Sequence, residues 1–321
     1  VDWLRRLRFD LAWSNRTAFL LRRRNHEKLL QQGGCSGPRM PYDVAIASFG
    51  RGFDEHRFVL RRSDSNDARH GPFTCHRDRD DDLRLAHVLA DNADSITMSR
   101  FRAQDLRVSH KPDLSEVSDA DTAVEEAIRR LLGSSRPRDA VHGEEGEDTG
   151  WGPRRWVIDP IDGTANFVRG VPVWATLIGL MVEDRVEVGV VSAPLLGRRW
   201  WACTDGGAYT GKSLMNATPM QVSKVSSLSD AFLSYSSLHG WVGAERGLQF
   251  GDLLRSVWRT RAFGDFWSHM LVAEGAVDIS VEPELALHDM AALDVIVREA
   301  GGRATSIDGA AGPVGPGLLC T

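Results

Sequence analysis

The chain has 321 residues, 42% of them hydrophobic and 26% charged, with a formal net charge of −5, which is the balance of a globular protein with ample core to bury in one large domain or two ordinary ones. Its longest nearly continuous apolar run, VWATLIGLMV at 173–182, falls far short of the roughly 20 residues that cross a bilayer, so no membrane span is expected. The N-terminus shows no apolar stretch followed by a small-residue cleavage site, and cysteines 35, 75, 203 and 320 have neither CxxC nor zinc spacing. They read as free thiols of a reduced, cytoplasmic protein.

Charge is unevenly spread along the chain. Residues 1–80 carry 16 of the 39 Lys and Arg but only 10 of the 44 Asp and Glu. The first 30 residues could form a basic amphipathic helix. Beyond them, QQGGCSGPRMPY breaks any period and DSNDARHGPFTCHRDRDDD has none, so low order is expected for most of this arm. The initial Val fits a non-Met start or an over-extended reading frame. The arginines alternate with acids and carry no aromatic stacking pattern, which argues against nucleic acid as a partner.

From residue 82 the pattern becomes regular. DLRLAHVLADNADSITMSRF places apolar residues at helical spacing, and DADTAVEEAIRRLLGSS reads as a second helix, with Asp119 or Asp121 near its start and Gly133 as its stop. RRWVIDPIDG reads as a strand running into a loop. VPVWATLIGLMVEDRVEVGVVSAPLLGRRWWACTDGGAYTG then predicts a meander of strands. After about 220 the elements shorten. DAFLSYSS is strand-like, GLQFGDLLRSVW helical, FWSHMLVAEGAVDISVEP a helix and a strand, and HDMAALDVIVREAGG a helix with Asp289 near its start and Gly301 at its stop. The pattern is α+β passing to α/β, with a seam near 195–220.

Four acidic stretches stand out: SDAD (118–121), HGEEGED (142–148), DPIDGT (159–164) and LHDMAA (287–292). Pro160 cannot donate in a sheet ladder, so Asp159 and Asp162 sit where a strand leaves its neighbour. A sharp turn there can aim both carboxylates and the Ile161 carbonyl at one point, a hard oxygen set suited to Mg²⁺. Gly163 permits close backbone approach, and a helix starting near 164 would offer free amides to a phosphate, with the Thr164 hydroxyl available to hold a water. Each motif alone has an ordinary reading: a turn with a helix cap, a solvated acidic loop, an N-terminal helix carboxylate. Their combination is specific.

GEE, then DPIDGT followed by NF, then HDMAA before a helix ending EAGG, resembles the inositol monophosphatase-like superfamily over about 82–312. FVRGVPVWATLIGLM, VVSAPLLGRRWWA, SSLHGW and FGDFWSHMLVAEGAVDI are most similar to its histidinol-phosphatase branch. The resemblance implies an αβαβα layered sandwich and a phosphomonoesterase that hydrolyses L-histidinol phosphate with two or three Mg²⁺ per site. It implies metal ligands at Glu144, Asp159, the Ile161 carbonyl, Asp162 and Asp289, and a catalytic set of Thr164, Asp121 and Glu144 around the attacking water. It further implies phosphate contacts at Gly163 and Thr164, and substrate contacts at Glu282 and Asp265, where a carboxylate would face an amine. Lys111 matches a lysine near the metals, with a solvated surface lysine as the alternative reading. Trp174, Trp200 and Trp201 read as core or subunit-interface residues. The resemblance also implies a homodimer acting on a small phosphorylated substrate.

Three segments are expected: an extension over 1–81, an α+β part with the metal motifs over 82–205, and an α/β part over 206–321. The resemblance implies a further strand and a closing helix after the DG…GP stretch. The chain ends in GPVGPGLLCT, so a missing strand and an exposed sheet edge are expected there. Inositol-1-monophosphatase or a broader sugar-phosphate phosphatase is the alternative of the same chemistry. A non-catalytic binding protein on the same scaffold is the alternative of a different class.

Overall fold

Helix α1 spans Arg77–Arg100 in the computed structural model, which describes residues 77–111 and 116–321. The basic arm lies outside the described residues up to position 76, while residues 77–81 of the segment assigned to the extension are already helical. After a two-stranded antiparallel ladder of β1 (Val108–His110) and β2 (Glu116–Ser118), helix α2 spans Asp119–Ser135. It passes through Gly133, the stop expected from the sequence. Nothing crowds that glycine, and the helix ends instead at Arg136, the residue before Pro137, where the proline ring disfavours helical backbone in its predecessor.

The predicted meander is a seven-stranded sheet in simple order: β3 (Ala140–Gly143), β4 (Arg154–Asp162), β5 (Ala175–Val182), β6 (Arg185–Ala193), β7 (Arg198–Cys203), β8 (Gly207–Gly211) and β9 (Ala217–Pro219). Only the β3–β4 pair is parallel. Side chains alternate between two cores, as the period of two requires. Trp156, Ile158, Val188, Val190 and Trp201 pack against Leu83, Leu89, Val124 and Ile128 of α1 and α2. Val157, Leu177, Val191 and Trp200 face the opposite side. Trp174, Trp200 and Trp201 are all buried, as core residues.

That opposite side is covered by α6 (Asp265–Ala273) and α7 (Leu287–Glu299). They follow β10 (Phe232–Ser234), the short helices α4 (Leu238–Gly243) and α5 (Gly247–Ser256), and β11 (Arg259–Arg261), with β12 (Ile279–Glu282) between α6 and α7. The second sheet has the order β11-β10-β12-β14-β13, completed by β13 (Ala304–Thr305) and β14 (Leu318–Cys320). Its outer face packs Leu233, Ile279 and Val281 against Trp241 and Phe250. The layers therefore run helix, sheet, helix, sheet, helix, in agreement with the αβαβα expectation. The C-terminal LLC, where a strand was expected to be missing, is itself a strand. It pairs with β12 on one side and β13 on the other, and so removes that edge.

Helix α7 lies unusually close to the large sheet because Gly179 and Gly189 face each other across β5 and β6 beneath it. A Cβ at Gly189 would sit 2.5 Å from Val295 Cγ1 and 2.7 Å from the Ala292 carbonyl oxygen. Cys320 is a buried free thiol, and Cys35 and Cys75 lie outside the described residues. Among the described residues, no helix is long and apolar enough to cross a membrane.

Candidate active site

An odd spacing should send Asp159 and Asp162 to opposite faces of a regular strand. A β-bulge prevents that: Asp159 pairs with Leu177 and Asp162 with Ala175, so three steps of β4 match two of β5. The bulge is held by Thr176, whose hydroxyl donates to the Pro160 carbonyl at 2.8 Å. The two aspartates consequently converge, and Asp289 joins them from the first turn of α7, where its Oδ2 accepts from the Ala286 amide at 2.7 Å. One carboxylate oxygen from each of Asp159, Asp162 and Asp289 lies within 4.8 Å of the others, a group that could hold a metal ion.

The electrostatics of this group are unfavourable without a cation. Burial pushes the Asp159 carboxyl well above the usual range, and Glu144, Asp162 and Asp289 push it further. Asp162 is raised by its removal from water and by Asp265 and Asp289, against the opposing Phe266 amide, which donates to its Oδ2 at 2.6 Å. Asp289 is raised chiefly by burial. Glu144 approaches Asp159 but is not one of the three converging groups; its Oε1 accepts from Lys111 Nζ at 2.6 Å. Lys111 also bridges Glu145 at 2.8 Å. Burial opposes its charge, but the two carboxylate hydrogen bonds outweigh burial and raise its pKa. The solvated-lysine alternative therefore gives way to a half-buried ion pair at the acidic cluster.

The pair Thr164 and Asp121 is also assembled. Gly163 adopts φ +85° and starts the short helix α3 (Thr164–Val168). Thr164 Oγ1 lies 3.2 Å from Asp121 Oδ1 and 2.9 Å from the Ile161 carbonyl oxygen, so its single proton serves one of them at a time. Asp121 is fully buried. Its Oδ2 closes a capping box with Ser118, accepting from the amide at 2.9 Å and the hydroxyl at 2.6 Å.

Beside the carboxylates opens a cleft of about 230 Å³, lined by Asp162, Asp265, Glu282, Asp289 and His269 among others. Asp265 has φ +49°, accepts from Asn166 Nδ2 at 3.0 Å, and lies close enough to Gly163 that a Cβ there would come within 3.2 Å of its Oδ2. Glu282 is 5% exposed and its Oε1 has no partner among the described residues. Burial first, and Asp265 second, push its pKa up to about 8.

Comparison with known proteins agrees with this geometry. Residues 78–319, three quarters of the chain, match the inositol monophosphatase family. The chain belongs to the inositol monophosphatase family. It is 62% identical over 237 residues to a histidinol-phosphatase of Streptomyces coelicolor, covering 73% of this chain and 89% of that protein. It is 54% identical over 242 residues to a histidinol-phosphatase of Mycobacterium tuberculosis, covering 75% and 93%. Among solved structures, an inositol monophosphatase from Zymomonas mobilis superposes with a TM-score of 0.66 at 29% identity, over 77% of this chain and 94% of that one.

Inositol monophosphatases are metal-dependent, and the side chains here fit a cation: Asp159 Oδ1 is buried with no partner among the described residues, beside two converging carboxylates. Three residues at this family site escape motif reading. Glu125, buried on α2 one turn after Asp121, accepts the Glu145 amide at 2.7 Å and the Gly146 amide at 2.9 Å, and is itself held by Arg129 at 2.8 Å. It thereby clamps the loop that presents Glu144. A Cβ at Gly143 would fall 2.3 Å from the Glu125 carboxyl carbon, so only glycine fits there. Its sequence signal is the i, i+4 Glu–Arg pair, which is indistinguishable from a surface ion pair. Glu145 and His269 are the other two.

Proposed function

We propose that this protein is a metal-dependent phosphomonoesterase that hydrolyses L-histidinol phosphate to L-histidinol and phosphate. The observation that carries the reading is the convergence of Asp159, Asp162 and Asp289 beside a cleft lined by Asp265 and by the buried Glu282, whose Oε1 has no partner among the described residues. The high identity to proteins named histidinol-phosphatase supports the choice of substrate. Glu144, Asp159, the Ile161 carbonyl, Asp162 and Asp289 would hold two or three Mg²⁺, which supply neutralising charge for the phosphate and lower the pKa of the attacking water. Thr164 Oγ1 orients that water and passes its proton toward Asp121, whose carboxyl is raised by burial and suited to receive it. The amides of Gly163 and Thr164 hold phosphate oxygens. Lys111 sets the position of Glu144. Attack by water needs no covalent phosphoenzyme.

In the cleft, Glu282 and Asp265 receive the substrate's ammonium group, a charge that offsets the cost of ionising one buried and one half-buried acid. The proposal includes a homodimer, supported by the family resemblance, working in the cytoplasm, a reading supported by cysteines that have neither CxxC nor zinc spacing. Phosphate release from L-histidinol phosphate, inositol 1-phosphate and an aryl phosphate, with and without Mg²⁺, tests it. The expected result is Mg²⁺-dependent release with the highest kcat/KM for histidinol phosphate. Equal or better turnover of inositol 1-phosphate would overturn the substrate, and full activity in chelator would overturn the metal.

A further inference from the structure

His269 sits one helical turn after Asp265, so α6 presents both to the same side. Across from them, β12 presents Ser280 and Glu282, two residues apart and thus on one face of the strand. His269 is 1% exposed, and its Nδ1 is 2.8 Å from Ser280 Oγ. Its Nε2 is buried and has no hydrogen-bond partner among the described residues, although the residue lines the cleft. Such an unpaired ring nitrogen carries a desolvation cost unless a ligand completes it. Burial holds the ring neutral, with its pKa lowered to about 3, so it carries no charge against the ammonium expected at Glu282. Glu282 Oε1 is the second orphaned polar atom on the same cleft, which makes this wall a built recognition surface rather than a single buried histidine.

Resting on the histidinol phosphate reading, we propose that His269 Nε2 is the hydrogen-bond partner of the leaving group's imidazole, and that His269 is a specificity-determining residue. A neutral imidazole offers one N–H and one bare nitrogen, so it can complete Nε2 in either tautomer of His269. Ser280 is the positioning residue that fixes the ring through Nδ1. The division of labour on the cleft is then simple: the two carboxyls take the charge, and the histidine takes the ring.

Two isosteric variants separate recognition from mere support. Glutamine carries an amide group out to the position of Nε2, while asparagine reaches only that of Nδ1. His269→Asn keeps the tie to Ser280 and loses the cleft atom; its ratio of kcat/KM for histidinol phosphate over aryl phosphate falls about tenfold, the worth of one hydrogen bond. His269→Gln stays within about threefold of wild type in the same ratio. The second readout is the Ki of L-histidinol against aryl phosphate hydrolysis, which rises about tenfold in His269→Asn. A ratio and Ki unchanged in His269→Asn, or rescue by asparagine and not by glutamine, would reduce His269 to a strut between α6 and β12 and overturn the inference. If wild type fails to hydrolyse histidinol phosphate, the substrate reading falls. The inference then stands on the Ki shift alone, and falls too if histidinol does not inhibit.

Discussion

Two groups of buried and half-buried acids lie side by side in this molecule, and they differ in what disturbs them. At the end of β4, Asp159, Asp162 and Asp289 crowd one another, with Glu144 close by, so both burial and mutual repulsion raise their pKa values. In the cleft, Glu282 is raised mainly by burial and, among the described residues, next by the acidic neighbour Asp265. Several carboxylates at one point call for a divalent cation. A single deeply buried carboxyl with an unpaired oxygen calls for one organic cation and tolerates being neutral until that cation arrives. One region is thus built for metal and phosphate, the other for the leaving group.

The largest effect that could break this division is at the metal end. Asp162→Asn is expected to lower phosphate release from every substrate by at least about 10²–10³-fold, with circular dichroism unchanged. A loss confined to histidinol phosphate would place Asp162 in the wrong region. Next comes the clamp on the GEE loop. Glu125→Gln should cost about 10–100-fold in turnover and weaken Mg²⁺ dependence, in the way that groups supporting a metal ligand do. Steady-state kinetics over a Mg²⁺ series would read both, and an unaltered Mg²⁺ requirement would make Glu125 a purely structural residue.

The cleft side has a different signature. Glu282 keeps its proton in the folded protein up to about pH 8, while in the unfolded chain it loses it near pH 4.5. Between those values the folded state binds more protons, so this group's contribution to stability falls as pH rises through the window. Thermal unfolding of Glu282→Gln should match wild type near pH 5 and exceed it near pH 8, by an amount on the order of a few kcal/mol, if no ligand is present. The same difference at both values would show that Glu282 ionises normally. The smallest effect concerns the scaffold common to both regions. Gly189→Ala presses on Val295 and the Ala292 carbonyl under α7 and should cost about 1–3 kcal/mol by calorimetry.

The two regions were also unequally legible. The metal end lies in contiguous motifs, DPIDGT and HDMAA, because a strand end and a helix start bring carboxylates together over short stretches of chain. The bulge that makes an odd spacing work was not readable, since it depends on the partner register of β5. In the cleft, Glu282 and Asp265 followed from resemblance. His269 and Ser280 did not, because each looks like an ordinary residue of a buried helix or strand and acquires meaning only where α6 crosses β12. Glu125 was hidden for the same reason, as a helical carboxylate whose partners are amides some 20 residues away. The passage from α+β to α/β was legible from the change of period along the chain, whereas the αβαβα layering followed from the resemblance. The end of α2 was misread because Gly133 is a local cue, while the following Arg136–Pro137 sets the actual limit.

Calorimetric titration of Mg²⁺ into wild type, Asp162→Asn and Glu282→Gln tests the division most directly. The expected result is saturable binding to wild type and Glu282→Gln with similar affinity, and loss of that binding in Asp162→Asn. Equal binding by all three proteins, or a loss caused by Glu282→Gln, would contradict the assignment of metal to the end of β4.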